Sequence, residues 1–385
     1  MGPQTNPPQP SPPTITPAHR PGDPRKVSVV DDRLHIGNVT ITFHRTLRIP
    51  DDGRHYHLPP SLGAFPLRRV EDYKQRVPAS WREHGGVFLP VFQREAVWLG
   101  FDAAYWRPNA LRVTVGKVNA LSGRPWSEEL VRGGRGDDEQ DYVVVPDQPW
   151  LDGINAGNGF IKQFCAMPLG MGYTVEGLLT GKEEFGGLQL CVFEPKAGKF
   201  PNTRPAIQLR GRAAGGPAPD AMNVACLASA PPMALARSAE LCEASFAGQE
   251  MGLAAGGRMK QSIYPDPHGV DTWDQCNYAR VYVHLVNSQM WAAITGEPMP
   301  TTPVTAQAYA EHNLPWFDLY DEHMGDIASS DILEGVKSVK AIDAEKGFAP
   351  QQDDSSVDVP DHLVHKGHVV ESGAPADRTT VGDGR

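Results

Sequence analysis

The central segment of the chain, Gly159 to Pro195, reads GFIKQFCAMPLGMGYTVEGLLTGKEEFGGLQLCVFEP. It contains three apolar runs of strand length: Phe160 to Leu169, Tyr173 to Leu179 and Leu188 to Phe193. Glycine-bearing breaks separate the runs, and short breaks of this kind close antiparallel hairpins. In the third run both faces carry apolar side chains, as expected of a strand covered on both sides. The segment therefore predicts a three-stranded antiparallel meander at the centre of a β-rich core.

Strand patterns continue towards the amino terminus. Val39 to Phe43 alternates strictly between apolar and polar residues, which indicates a half-buried strand. Asp31-Asp32 is a turn signal between two further apolar segments, and Gly86 to Phe92 is expected to pair with Ala96 to Phe101 across a polar turn. The fold class that follows is mainly β (α+β), with an antiparallel β-sandwich-like core, a few appended short helices and disordered termini.

Composition shifts along the chain predict its organisation. Residues 1–25 are dense in proline and nearly free of aliphatic side chains, so we expect a disordered arm. Residues 26–320 are expected to form one β-rich core domain, interrupted by a long Pro/Gly/Ala-rich insertion at 196–232. Residues 321–385 are acidic and less hydrophobic, which predicts a mostly disordered carboxy-terminal tail.

Three segments have helix signals. Met233 to Gly248 places apolar residues on one helical face. Asn287-Ser288 can cap a short helix that stops at Gly296. Thr302-Pro303 combines a capping hydroxyl with a proline suited to the first helical position. In addition, Val70 to Arg82 could carry one short helix and Ile332 to Glu345 one loose helix, so the predicted helices are short appendages to the sheet.

Charge and cysteine content narrow the function classes. The 385-residue chain has a formal net charge of −10, which argues against nucleic acid or an anionic membrane as the main partner. Its longest apolar runs are far below the roughly 20 residues needed to cross a bilayer. The cysteines are odd in number and scattered, which favours buried thiols in a reducing compartment, the cytoplasm. They are Cys165, Cys191, Cys226, Cys242 and Cys276.

The most suggestive chemistry lies in the loop from Asp266 to Asp274. Its residues include Asp266, His268 and Asp271, and loops are where functional groups tend to be displayed. Such groups could bind a hard divalent cation or supply an acid–base pair. Asp, Pro and Gly are also what a structural turn needs, and that interpretation is favoured.

His284 follows in the strand pattern Ala279 to Leu285, on the same face as Tyr282. A lone histidine in a strand is more often a hydrogen-bonded structural residue than a catalyst. If His284 faced the loop of His268 and Asp271, the two would define a site. Cys276 lies close to both in sequence, but no nucleophile motif surrounds it.

Two histidine patterns resemble metal ligands by spacing alone. His55 and His57 share one face of an extended segment, a chelating arrangement, although a surface histidine pair beside a turn is the favoured account. His362, His365 and His368 are spaced so as to bind added metal weakly. Whether the protein holds a metal is left open, and no signature for a cofactor is found.

Two functions compete at this point. The favoured one is a soluble β-rich binding, scaffolding or structural protein with protein partners, in which tails on a rigid core serve assembly. The alternative is a hydrolase- or lyase-like enzyme, with or without a divalent metal, whose site gathers Asp266, His268, Asp271 and His284. Glutamates of the central segment would join that site; they are Glu176, Glu183 and Glu184. The sequence predicts neither the substrate nor the oligomeric state.

Overall fold

A computed structural model of the protein describes residues 27–131, 140–205, 250–301, 303–319, 324–351 and 354–367. The described residues form seventeen strands and six short α-helices, so the expected mainly β class is confirmed. The proline-rich arm and the helix expected at 233–248 lie outside the described residues, as does most of the insertion at 196–232.

The strands in chain order are β1 (Val27–Val30), β2 (Arg33–Ile36), β3 (Val39–Thr46), β4 (Arg68–Arg69), β5 (Val87–Pro90), β6 (Ala96–Ala103), β7 (Asn109–Val115), β8 (Val118–Asn119), β9 (Val143–Val145), β10 (Trp150–Leu151), β11 (Gly153–Gly157), β12 (Phe160–Pro168), β13 (Leu188–Pro195), β14 (Glu250–Lys260), β15 (Trp273–Val286), β16 (Trp316–Leu319) and β17 (Val364–Gly367). The helices are α1 (Ala79–His84), α2 (Val175–Thr180), α3 (Ser288–Thr295), α4 (Ala306–Glu311), α5 (Asp331–Glu334) and α6 (Val339–Glu345).

Fifteen strands form one sheet whose main path runs β1-β2-β3-β6-β12-β14-β15-β13-β7-β8. Its pairings are antiparallel except for β5, which pairs with β15 in parallel. The remaining two strands, β16 and β17, pair in parallel as a small separate sheet. The sheet therefore joins segments that are distant in sequence.

The large sheet consists of two halves that meet over a short junction. At that junction β14 pairs with β15 through only two residue pairs, Glu250 with Val286 and Met251 with Leu285. Side chains of both halves nevertheless belong to one hydrophobic core, with Phe43 contributed by the first half and Leu190 by the second. The two halves are layers of a sandwich-like core, because alternate side chains of each half fill the same interior.

The amino-terminal strands follow their predicted patterns. In β3 the residues Val39, Ile41 and Phe43 are buried and the polar residues between them are half-buried. β1 and β2 form an antiparallel hairpin around Asp31 and Asp32, both of which have positive φ angles (50° and 56°). A two-residue turn with two positive φ angles matches the twist of the strands that it joins.

The predicted central meander is wrong in its middle and in its pairing. β12 and β13 form as expected, but the run between them contains the helix α2, capped by Thr174 and ended by Gly181 in the left-handed conformation (φ 75°). Two other strands, β14 and β15, lie between β12 and β13 in the sheet. The carboxylate of Glu176 accepts hydrogen bonds from three backbone amides of the following turn, so the polar face of α2 is used to fix that turn.

The predicted pairing of Gly86–Phe92 with Ala96–Phe101 is also wrong. β5 pairs with β4 and β15, whereas β6 pairs with β3 and β12. The turn between them, at Arg94, has a positive φ of 68°, and the Arg94 amide donates to the carbonyl of Ala166 on β12. The chain therefore crosses between two parts of the sheet at a place where the sequence pattern suggests a simple hairpin.

The first two of the four described α-helices that follow β15, α3 and α4, form near their predicted positions. The side chain of Asn287 accepts a hydrogen bond from the Met290 amide at the start of α3, and Gly296 ends the helix with φ 77°. For α4, Thr305 is the capping residue, so the helix begins after the predicted Thr302-Pro303. The capping chemistry was thus predicted correctly for α3, and α4 starts three residues late because a second threonine caps it.

Residues 324–351 and 354–367, here called the carboxy-terminal strap, are folded against the sheet. The prediction of a mostly disordered tail after residue 320 is wrong for these residues, because six of their apolar side chains are buried, although Ile332 and Phe348 are exposed. The buried side chains are Ile327, Leu333, Val336, Val339, Ile342 and Val357. α6 packs with β12 and β14 in a cluster of its own, so the strap covers the outer face of those strands around Cys165 and Ala254.

Buried ion pairs fix the strap to the sheet. The Arg94 guanidinium contacts Asp343 at 2.6 Å and Asp354 at 2.8 Å, and Arg48 contacts Asp354 at 2.6 Å. The Tyr173 hydroxyl donates to the Asp343 carboxylate at 2.7 Å. All the charged side chains are at most 16% exposed, so removing one partner would leave a charge without compensation inside the protein.

Candidate functional site

Asp266, the first residue of the candidate loop, is a structural acceptor. Its Oδ2 accepts hydrogen bonds from the Tyr142 hydroxyl at 2.6 Å and from the Trp273 indole at 2.9 Å. Its Oδ1 accepts from the His268 amide at 2.7 Å. Burial, with the bond to this carboxylate, raises the pKa of Tyr142. Asp266 thus fixes the loop to β15 and to the segment before β9.

His268 and Asp271 lie on the surface of the same loop. The His268 ring packs edge-on against Phe200 and Trp273, and its Nε2 is 3.9 Å from Asp147. Asp271 is exposed within the short 3-10 turn Val270–Thr272. The loop forms as the Pro/Gly turn that the sequence favours, with Asp266 rather than Asp271 as the main side-chain acceptor.

The structure places His284 near the opposite end of β15. Eleven residue steps separate it from Trp273, which at about 3.3 Å per residue corresponds to about 35 Å. The His284 ring stacks on Trp81 with a centroid distance of 4.2 Å, and its Nε2 donates to the Gly85 carbonyl at 3.1 Å. Burial lowers the pKa of His284 to about 4. His284 is therefore a neutral packed side chain, and the four-residue constellation is not formed.

The three glutamates after the central glycines do not join the loop either. Glu176 is buried under the turn that follows α2. The Glu183 carboxylate accepts from the Thr174 hydroxyl at 2.6 Å and from the amides of Thr174 and Gly172. Glu184 forms an ion pair with Lys117. Each carboxylate is thus engaged in holding this corner of the sheet.

No metal centre is found among the residues that the structure describes, since no group of three or more His, Cys, Asp or Glu side chains is arranged to hold an ion. His55 and His57 do share one face, opposite the buried Tyr56, as the alternation predicts. Burial lowers the pKa of His57. His368, the last residue of the predicted tail pattern, lies outside the described residues.

The described cysteines are thiols in two environments. Cys165 and Cys191 are buried in strands, as predicted, and burial raises the pKa of Cys191 to about 11. Cys276 is exposed on β15. Cys226 and Cys242 lie outside the described residues. Burial outweighs the nearby charges of Arg280 and Arg112, which favour the thiolate, so Cys191 is not activated as a nucleophile.

A surface that the sequence analysis missed lies on the outer side of the second half of the sheet. We call it the aromatic–arginine face, and it consists of half-buried and exposed side chains: His84, Lys117, Trp126, Phe185, Arg280 and Tyr282. The Arg280 guanidinium lies 4.1 Å from the Trp126 ring centroid and 4.5 Å from that of Tyr282. The only hint in the sequence was the alternation of Arg280 and Tyr282 in ARVYVHL, since the other residues come from separate segments.

The other rings complete this face. Tyr282 is 4.7 Å from His84 and 6.0 Å from Phe185, measured between ring centroids. The Lys117 ammonium lies 4.7 Å from the Phe185 ring. The result is a continuous row of rings and cations across α1, β15 and the turn before β13.

Most other large aromatic residues are inside the protein. Trp81, Trp273, Trp291 and Trp316 are fully buried. Their burial makes these rings part of the packing of the protein and not of its surface. Trp126 differs because its ring is only partly covered, which sets the aromatic–arginine face apart from the core.

Comparison with known proteins finds no match: no family model, no curated protein and no solved structure is significantly similar to the chain. Among the described residues, no helix combines the length and the apolar character that a bilayer span requires. The fold class and the geometry of the described surfaces are therefore the grounds for a functional proposal.

Proposed function

We propose that this chain is a β-sandwich-like binding and assembly protein that uses its aromatic–arginine face to contact protein. The single observation that carries the proposal is the row of partly exposed rings and cations around Arg280 and Tyr282. Trp, Tyr and Arg side chains are the residues that most often dominate the energy of protein–protein contacts. A face that concentrates them on a sheet suits an interface better than a catalytic pocket.

The face is pre-organised, which supports a binding role. Arg280 donates to the Gln189 side chain and to the Tyr282 hydroxyl, so the guanidinium is fixed between two rings. Side chains held in place before binding lose little conformational freedom when a partner arrives. The backbone beneath is held by the sheet, since β13 pairs with β15 from Tyr278 to Val283 and β5 pairs with it from Val283 to Val286.

The partner that best fits this face is a second copy of the chain. Carboxylates lie among its cations, because Glu184 pairs with Lys117 and Glu128 lies near Tyr278. A surface that has both charge signs can meet its own copy around a two-fold axis, with each cation near a carboxylate of the other copy. A symmetric dimer is thus the simplest assembly through this face.

Sedimentation velocity on the full chain tests the proposal. We expect a reversible dimer between about 1 and 100 µM protein, and the double variant Phe185→Ser/Tyr282→Ser should weaken dimerisation by at least about tenfold. The matched control is Tyr105→Ser, which removes an exposed tyrosine ring (46% exposed) that lies outside the aromatic–arginine face. A monomer throughout this range, or an equal effect of the control, would refute the proposal.

A further inference from the structure

Two cross-strand pairs place three cationic residues beside one aromatic residue on the outer face of β12 and β14. One of the cations, the Lys162 ammonium, donates to three backbone carbonyls of residues 333–336 in the strap. Phe160 lies opposite Lys260, and Lys162 lies opposite Arg258. The four side chains point to the same side, because their neighbours Ile161 and Met259 are buried. In a chain with a net charge of −10, this is a local concentration of positive charge.

The extended segment beside β14 adds two imidazoles. Tyr56 forms a parallel bridge with Met259, so His55 lies near Arg258 and His57 near Lys260. The His55 ring stacks on Phe160 with a centroid distance of 4.1 Å. Lys260 has a carboxylate partner, Asp318, at 3.2 Å.

Arg258 is the member of this group whose charge is least compensated. Its guanidinium packs over the Phe160 ring at 5.3 Å, and its buried Nε has no hydrogen-bond partner among the described residues. By contrast, four other arginines contact carboxylates, and the half-buried Arg280 donates to Gln189 and Tyr282. The four are Arg45, Arg48, Arg94 and Arg112. Desolvation and the charge of Arg258 together lower the pKa of Lys162. A guanidinium in this setting presents its donor fork to an external anion.

A recess adjoins this cationic group. A cavity of about 450 Å³ is lined by Phe160 and Lys260 together with polar groups of Asn158, Ser262 and Asp326. Its volume is in the range of small-molecule sites. The Asp326 carboxylate accepts from the Gly159 and Ile263 amides, and its remaining lone pairs can accept hydroxyl donors.

We propose that this recess binds a small polyhydroxylated molecule that bears an oxyanion, either a phosphate or a carboxylate. The oxyanion lies at the edge of the recess, between Lys260, which lines it, and Arg258, which flanks it over the Phe160 ring. The hydroxyl groups lie against Asn158, Ser262 and Asp326, which supply both donors and acceptors. The Asp326 carboxylate in the wall of the recess would repel an anion bound deep inside it. The charged end of the ligand therefore faces Arg258.

Calorimetric titration of the full chain tests this site with three probes that share one sugar framework. Glucose 6-phosphate and glucuronate provide the two oxyanions, and glucose provides neither. We expect at least one of the two anions to bind with a dissociation constant of about 1 mM or tighter, and glucose to bind at least about tenfold more weakly. Whichever anion binds more tightly identifies the oxyanion class.

Variants of Arg258 locate the binding. Arg258→Gln should weaken the preferred anion by at least about tenfold, and Arg258→Lys should weaken it less, because it keeps the charge and loses the fork. The matched control is Arg69→Gln, which removes an exposed arginine that pairs with Glu71. Unchanged binding by Arg258→Gln at an unchanged Tm, equal binding of glucose, or no binding of either anion would overturn the proposal. The Phe185→Ser/Tyr282→Ser variant, designed to weaken dimerisation, should bind normally, which separates this site from the proposed assembly face.

Discussion

At the level of single residues, buried glutamine side chains form hydrogen bonds with backbone groups that are not paired within the sheet. The Gln163 side chain accepts from the Ile49 amide and donates to the Leu47 carbonyl, both at 2.8 Å. Gln261 similarly bonds to the backbone of Trp150 and Asp152. Amides of this kind satisfy backbone groups where strands end, so polar residues of the interior serve the fold rather than chemistry.

His284 gives a pH-dependent test at the same level. Its folded pKa of about 4 lies below the ordinary value of 6.5, so the unfolded chain takes up its proton first as the pH falls. The stability associated with neutral His284 is therefore complete above about pH 6.5 and is lost progressively towards pH 4, by up to about 1.4 kcal/mol per pH unit. His284→Phe keeps a ring against Trp81 and removes this titration.

Urea unfolding of both proteins at about pH 7, 6 and 5 measures the effect. The loss of stability per pH unit should be smaller in His284→Phe than in the wild type, by about 1 kcal/mol. Tyr282→Phe is the control, because it changes a ring on the same strand face without removing a group that titrates in this range. An identical pH slope in His284→Phe and the wild type would show that His284 is not held neutral by burial.

At the level of elements, the strap offers a second test. Asp343→Ala removes the carboxylate that Arg94 and Tyr173 share, and leaves a largely buried guanidinium with one partner fewer. Loss of one partner of a buried pair typically costs about 3–5 kcal/mol. We expect hydrogen exchange to accelerate in α6, while β12 and β14 stay protected because their ladder is intact.

The control for the strap is Glu345→Ala, which removes an exposed carboxylate of α6 that pairs with Lys337. Surface pairs contribute at most about 1 kcal/mol, so exchange in α6 should change little. If Asp343→Ala left the exchange of α6 unchanged, the ion pairs would not be what fixes the strap.

The strands, helices and strap also show which structural features can be predicted from sequence patterns. The alternation of β3 and the caps of α3 depend on local chemistry, and both were predicted correctly. α2 was missed because six residues between Thr174 and Gly181 are apolar enough to suggest a strand, whereas the capping threonine and the terminating glycine are the true signal. The strap was missed because its ion pairs join residues about 250 positions apart, and composition cannot show such pairings.

The candidate site was harder to predict than the strands. Asp266, His268 and His284 are close in sequence, but β15 begins at Trp273 and carries His284 away along eleven residue steps of extended chain. Residues that are close in sequence therefore lie far apart in the folded protein, because an extended strand separates them. The aromatic–arginine face and the cationic recess arise from the pairing of separate segments, so they become visible only when the sheet order is known.

At the level of the whole molecule, the two halves of the sheet share an interior but little backbone pairing. Only the pairs Glu250–Val286 and Met251–Leu285 join β14 to β15, whereas Phe43 and Leu190 belong to one continuous core. We therefore propose that the halves form a single domain and unfold together. Phe43→Ala, which empties a fully buried position in the first half, should lower stability by about 3–5 kcal/mol.

Hydrogen exchange in the second half decides whether this coupling is real. If the shared interior links the halves, Phe43→Ala should reduce the protection of the slowest amides of β13 and β7 as much as that of β3 and β6, because all of them exchange through global unfolding. Leu190→Ala provides the reciprocal variant, with the same expected loss in β3. Loss of protection confined to the mutated half would instead mean two domains joined by a short junction, because side-chain packing across the interior would then contribute less than the pairing within each half.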